Sequence, residues 1–160
     1  MRALVAAVGL WMMARAPLTP PVEGMTLADL HDTFNESRDG HRHEAVDIMA
    51  PRGTRVRAAV SGTIQKLFVS KNGGITIYEF DEAGARCYYY AHLDRYADGV
   101  HEGSRVKAGD VIAYVGYSGN ANAKAPHLHF AVSELGPKRE WWKGTAINPY
   151  ADLREALTTR

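Results

Sequence analysis

Seven short runs in this chain have the alternating or continuous apolar character of β-strands: Val46–Met49, Arg55–Val60, Thr63–Val69, Ile75–Phe80, Arg86–His92, Val111–Val115 and His127–Val132. Successive side chains on a strand point to opposite faces, so runs of this kind are suited to lying with one side against a core. Turn chemistry separates them, at Asn72-Gly73-Gly74, Asp98-Gly99 and Ala108-Gly109-Asp110, where glycine reaches backbone angles that other residues resist. Short strands at this close spacing predict a mostly β fold, an antiparallel sheet or sandwich-like core with short peripheral helices. Two stretches read as those helices, Met25 to Thr33 and Pro149 to Leu157, while Asn35 to His41 reads as polar loop. "RVRAAVSG" and "RVKAGDVI" share a pattern that suits two hairpin edges of one barrel.

The 160 residues, 46% of them hydrophobic, suffice for one domain with its own core. The first 16, "MRALVAAVGLWMMARA", run from Arg2 through an apolar stretch to the A-x-A pattern Ala14-Arg15-Ala16. That order reads as a short export signal, placing the mature chain in the periplasm or cell envelope. The apolar stretch, Ala3 to Met13, falls short of the ~20 residues of a spanning helix, so no permanent membrane span is expected. Residues 17–24, "PLTPPVEG", contain three prolines and read as an extended linker, with the folded domain at 25–160. Nineteen basic residues against 18 acidic leave a net charge of +1, which provides no basic field for a nucleic-acid partner. The single cysteine, Cys87, has no intramolecular disulfide partner. No pattern in the sequence sets an oligomeric state.

Candidate chemistry lies in the histidines. In "APHLHF", His127 and His129 fall on one face of a strand with Leu128 and Phe130 behind them. In "HRHEAVDI", His43 and Asp47 stand four apart where a polar loop enters an apolar strand. An imidazole and a carboxylate there, joined by one imidazole of the H-x-H pair, supply three protein ligands of the kinds zinc accepts. Three ligands with a free fourth position is the catalytic arrangement, whereas structural zinc sites are closed by four ligands, often cysteines. Spacing alone does not choose between His41 and His43, nor between the two imidazoles of the pair. The imidazole left over would stand beside the metal as a general base or a stabiliser of developing negative charge. His92 in "YYYAHL" is a further candidate for that work, on a strand whose period places Tyr88, Tyr90 and His92 on one face. His31 and His101 read as surface residues.

Together and in this order, "HRHEAVDIMAPRGTRVRAAVSGTI", "YYYAHLDRY", "EGSRVKAGDVIAYVGYSGNA" and "PHLHFAV" resemble the lysostaphin-type, or LytM-type, zinc metallopeptidases that cut peptidoglycan. The resemblance runs from about Val22 to Leu153. The family pattern H-x-G-x-D falls on His43, Ala45 and Asp47, the Y-x-H-L pattern on Tyr90, His92 and Leu93, and H-L-H-F on His127 to Phe130. It implies one zinc ion on His43, Asp47 and His129, with His92 and His127 as non-ligand catalytic histidines. It also implies an antiparallel core, the duplicated hybrid motif of the family, with a groove over the metal. The implied activity is endopeptidase action on peptidoglycan peptides, with D-alanyl–diaminopimelyl cross-links ahead of a glycine-rich bridge. Ala45 departs from the pattern, and a positive φ there would cost stability and shift His43. Trp141 and Trp142 in "WWKGTAINPY" either line the groove or cover the sheet. Two rivals remain. One is a non-catalytic wall-binding or regulatory module on the same fold, whose relatives have lost ligands that this chain keeps. The other is a biotinyl- or lipoyl-carrier-like barrel, suggested by "RVKAGDVIAYV", which would leave the histidines without a purpose.

Overall fold

The computed structural model describes residues 17–38 and 40–159, and the export-signal reading of residues 1–16 lies outside them. Eleven strands and one α-helix form among the described residues: β1 Ser37–Arg38, β2 His41–Arg42, β3 Val46–Met49, β4 Arg55–Arg57, β5 Gly62–Ser70, β6 Gly74–Asp81, β7 Arg86–Tyr96, β8 Arg105–Val106, β9 Val111–Val115, β10 His127–Leu135, β11 Gly144–Ile147 and α1 Tyr150–Thr158. One antiparallel sheet runs in the order β11-β10-β7-β6-β5-β8, with β3 added on β10, β9 on β7 and β4 on β9. The β1–β2 pair is a separate small hairpin. The mostly β, antiparallel expectation holds.

Alternation in the sequence becomes a core on one side of this sheet. Ile48, Ile64, Ile77, Tyr90, Leu93, Ile112, Leu128 and Phe130 are fully buried, and Leu153 of α1 closes over them. Full burial of such a side chain is worth roughly 1.5–3 kcal/mol relative to exposure. The central hairpins β5–β6 and β6–β7 form the body that carries the site strands β7 and β10.

Several elements differ from the sequence expectation, each for a local reason. The expected helix at Met25 to Thr33 is a single 3₁₀ turn, Leu27–Asp29. The Asp29 carboxylate accepts from both the backbone and the hydroxyl of Thr26, and Leu30 then turns extended to enter the core. The run Arg55–Val60 stops pairing at Arg57, because Ala58 N–H donates to Asp110 and Ala59 N–H donates to the Tyr90 hydroxyl. Strand β7 continues to Tyr96, past the expected end at His92, while β1, β2, β8 and β11 are too short to read from alternation. Residues 17–24, taken as a linker, are extended but docked. Leu18 and Val22 are buried, Val22 bridges Val56, and Arg57 N–H donates to Pro21 at 2.8 Å.

Beneath the sheet, the Tyr90 hydroxyl donates to Glu79 Oε2 at 2.6 Å, while Glu79 Oε1 is buried without a partner. Burial pushes the Glu79 carboxyl up to about 8, against the opposing pull of the Tyr90 hydrogen bond. The folded pKa therefore lies above the unfolded one. Between those two values the native state keeps a proton that the unfolded chain has released, so stability falls as pH rises through that window. We expect the melting temperature to drop between about pH 5 and 8.5, by an amount reflecting a few kcal/mol, and Glu79→Gln to flatten the drop when the two proteins are melted across that range.

Candidate metal centre

Two segments far apart in sequence meet at one end of the sheet. Strand β10 pairs antiparallel with β3 so that His129 lies opposite Asp47, and Leu128 and Phe130 lie opposite Ile48 and Val46. The apolar members are fully buried, which turns His127 and His129 to the other face. His43 precedes β3 and folds back over it. Its Nε2 lies 3.1 Å from His129 Nδ1 and 3.1 Å from Asp47 Oδ1, and His129 Nδ1 lies 3.2 Å from the same oxygen. Among the described residues this is the one His/Asp/His group placed to hold a metal ion, and His41, the rival to His43, is exposed on β2.

The donor set fits zinc. Bonds of about 2.0–2.1 Å from a tetrahedral ion put neighbouring ligands roughly 3.3–3.4 Å apart, close to the separations of these three atoms. Two nitrogens and one carboxylate oxygen also suit zinc better than calcium or magnesium, which prefer oxygen throughout. Three lone-pair atoms at such distances repel unless a proton or a cation lies among them.

Neighbouring groups fix the orientation. His43 Nδ1 donates to the Thr33 carbonyl at 3.0 Å, which leaves Nε2 as the lone-pair atom facing Asp47. The Thr33 hydroxyl accepts from Asp47 N–H at 3.0 Å and donates to the Ala45 carbonyl, so one residue ties both ends of the His43–Asp47 segment. Arg38 reaches Asp47 Oδ2 at 3.1 Å, holding the carboxylate with Oδ1 inward. For the Asp47 carboxyl, burial works upward but is outweighed by the hydrogen bond from His129 and the surrounding imidazoles, giving about 2. Burial lowers the His43 pKa, with Asp47 opposing.

His127 and His92 stand beside these three. His127 Nδ1 donates to the Ala125 carbonyl at 2.9 Å and its Nε2 lies 3.8 Å from Asp47 Oδ1. His92 Nδ1 donates to the Ser118 carbonyl at 2.9 Å, and its ring lies 4.9 Å from that of His127 and 5.7 Å from that of His129. Burial lowers the His92 pKa to about 4, with the Ser118 hydrogen bond opposing, so the ring is neutral near pH 7.

His92 reaches the site through an irregularity that alternation does not foresee. Its φ is +59°, and the register of β6 with β7 jumps from Ile77↔Tyr90 to Ile75↔Leu93. This bulge breaks the expected common face of Tyr88, Tyr90 and His92. Tyr88 and Tyr90 point into the core, and Tyr89 takes the site face, its ring 5.9 Å from that of His129. The loops that hold His92 interlock closely. His92 N–H donates to Gly73, and a side chain at Gly119 would run into the Asn72 carbonyl.

Ala45 does not have a positive φ. The left-handed residue is its exposed neighbour Glu44, at +55°, and Ala45 itself is fully buried. His31 and His101 are exposed, as expected. Sequence reasoning missed Tyr78 and Tyr89, which with Trp141 and Trp142 wall a groove of about 300 Å³ leading away from His43 and His129. Trp141 is anchored against Tyr78 and Phe68, at ring separations of 4.7 and 5.5 Å. Trp142 projects from it, 63% exposed. The tryptophans thus line the groove.

Comparison with known proteins supports this geometry. The sequence profile described as Peptidase family M23 matches residues 41–149, a span that includes all five candidate residues. The L-Ala--D-Glu endopeptidase of Bacillus subtilis (strain 168) is 32% identical over 117 residues, covering 70% of this chain and 34% of that protein. The DD-carboxypeptidase/endopeptidase Mpg of Neisseria meningitidis serogroup B is 36% identical over 89 residues, covering 55% of this chain and 19% of that protein. The chain thus spans about a third or less of the length of these relatives. The catalytic domain of lysostaphin from Staphylococcus simulans superimposes with a TM-score of 0.64 at 31% identity, covering 78% of this chain and 89% of that domain.

Two substitutions test the supports of the site. Thr33→Val removes both hydroxyl bonds and is expected to cost about 1–2 kcal/mol of stability and about tenfold in zinc affinity, read by chemical denaturation and by chelator competition. Ala45→Gly, although it restores the family residue, is expected to destabilise by about 1 kcal/mol, because no left-handed angle there rewards glycine.

Proposed function

Since the chain belongs to peptidase family M23, we propose that it is a zinc-dependent endopeptidase that hydrolyses peptide bonds in bacterial peptidoglycan, D-alanyl–diaminopimelyl cross-links foremost. The observation that carries this reading is the convergence of His43, Asp47 and His129 beside two imidazoles whose Nδ1 atoms are both committed to backbone carbonyls. In this reading residues 1–16 direct export, and the protein works in the periplasm or cell envelope.

His43 Nε2, Asp47 Oδ1 and His129 Nδ1 would hold one zinc ion. Zinc there supplies a Lewis acid that polarises the scissile carbonyl and makes the attacking water more acidic. Because the Nδ1 proton of His127 is held by Ala125, and that of His92 by Ser118, each ring presents Nε2 for exchange with the reacting groups. One of the two imidazoles would take the water proton on Nε2, and the imidazolium so formed would stabilise the tetrahedral oxyanion and pass the proton to the leaving amine nitrogen as the peptide bond breaks. Tyr89 and the tryptophans form one wall along which an extended peptide would lie. A non-catalytic wall-binding module on the same fold would have no need to keep all five residues.

Mass spectrometry of muropeptides released from isolated peptidoglycan tests the proposal. The zinc-loaded protein is expected to convert cross-linked dimers to monomers and the metal-free protein to leave them intact; dimers surviving the zinc-loaded protein would argue for a binding module instead. His129→Ala should lose both metal and activity. His127→Ala should keep its zinc stoichiometry while turnover falls by roughly 10²–10⁴-fold.

A further inference from the structure

The groove does not end at the tryptophans. Beyond them the loop 136–143, joining β10 to β11, encloses a second cavity of about 640 Å³, and Lys143 and Gly144 line both spaces. Its rim carries Lys138, Arg139 and Lys143, all exposed, and among the described residues none of the three pairs with a carboxylate. Two acids border the same cavity, Glu134 and Glu140. Glu134 falls on the same face of β10 as buried Phe130 and Val132 and lies opposite Arg86 of β7 in the ladder. Three cations therefore border the cavity against two acids.

Arg139 borders both the cavity and the β6–β7 turn. Its backbone is left-handed, with φ +49°, and its guanidinium lies over the β6–β7 turn so closely that a side chain at Gly84 would meet Nη1 at 2.9 Å. A planar guanidinium offers paired donors to a carboxylate.

We propose that loop 136–143 is a subsite for a carboxylate of the substrate peptide, formed by Lys138, Arg139 and Lys143; this rests on the endopeptidase reading above. Gly144 pairs with Leu135, six residues along β10 from His129. At about 3.3 Å per residue an extended peptide on the groove spans that ~20 Å with roughly six residues. The subsite thus reads an acidic group several peptide units from the scissile bond.

The test uses two synthetic cross-linked stem-peptide dimers, identical except that the carboxylates remote from the scissile bond are free in one and amidated in the other. Calorimetric binding is measured on the zinc-loaded full chain carrying His127→Ala, with and without Lys138→Glu and Arg139→Glu. The free-acid dimer is expected to bind about tenfold more tightly than its amidated twin, with the ratio shrinking as salt rises and falling to about one in the charge-reversed protein. Circular dichroism melting checks that the reversal leaves the fold intact. Equal affinity for the two dimers, or a preference that survives the charge reversal, would overturn the subsite. So would a glycerol-phosphate oligomer that binds through these residues when neither dimer discriminates, because it would identify wall-polymer phosphate as the ligand. Hydrolysis of both dimers by the parent protein is followed separately. Absence of turnover there would refute the endopeptidase reading, while the binding ratio still decides the subsite.

Discussion

The register between β3 and β10 is the constraint on which the site depends. Asp47 and His129 face each other because Ile48 faces Leu128 and Val46 faces Phe130 on the other side of the same ladder. A slip of one residue would put both imidazoles of β10 into the core and two large apolar groups into water. Those four apolar residues are fully buried, so the free energy resisting the slip is several times that of any hydrogen bond at the site. The donor positions are thus fixed by packing on the side of the sheet they do not touch.

His92 is positioned by a different means. A left-handed backbone at a non-glycine residue costs on the order of 1–3 kcal/mol, and the surroundings offset it. The N–H and the ring nitrogen are both satisfied, by Gly73 and Ser118, and the Ser118 hydroxyl donates to Leu93 while accepting from Ile75 N–H. Below the bulge, Tyr90 links Ala59 to Glu79 and keeps the strand from relaxing inward. Strain at this one residue gives the site an imidazole that regular pleating would have aimed elsewhere.

Much of this was legible in the sequence where one physical rule dominates. The bounds of β3 and β9 follow from short apolar runs, and the face shared by His127 and His129 follows from a period of two next to two large core residues. The same rule failed at His92, because a bulge is set by tertiary contacts between loops 72–74 and 118–120 and leaves no mark on local alternation. The departure at Ala45 was legible, but its consequence was not: the left-handed angle sits one residue earlier, at Glu44. Strands of two residues, such as β1, β2 and β8, have no period to detect. Met25–Thr33 has helical spacing, yet Asp29 closes the turn on Thr26 and Leu30 is drawn into the core, and tertiary burial outweighs propensity over so short a segment.

The docked segment at residues 18–23 has a consequence for how the molecule meets its own copies. Strand β4 pairs with β9 along one side only, and its other side would otherwise be an open ladder. Thr19 donates to Ala59, Arg57 donates to Pro21, and Glu23 donates to Arg55, so the segment occupies that edge. Pro20 and Pro21 have no N–H to offer and break any ladder that might continue outward. A stretch whose composition suggests a passive tether thus serves as a terminator, denying other chains a template for edge-to-edge polymerisation.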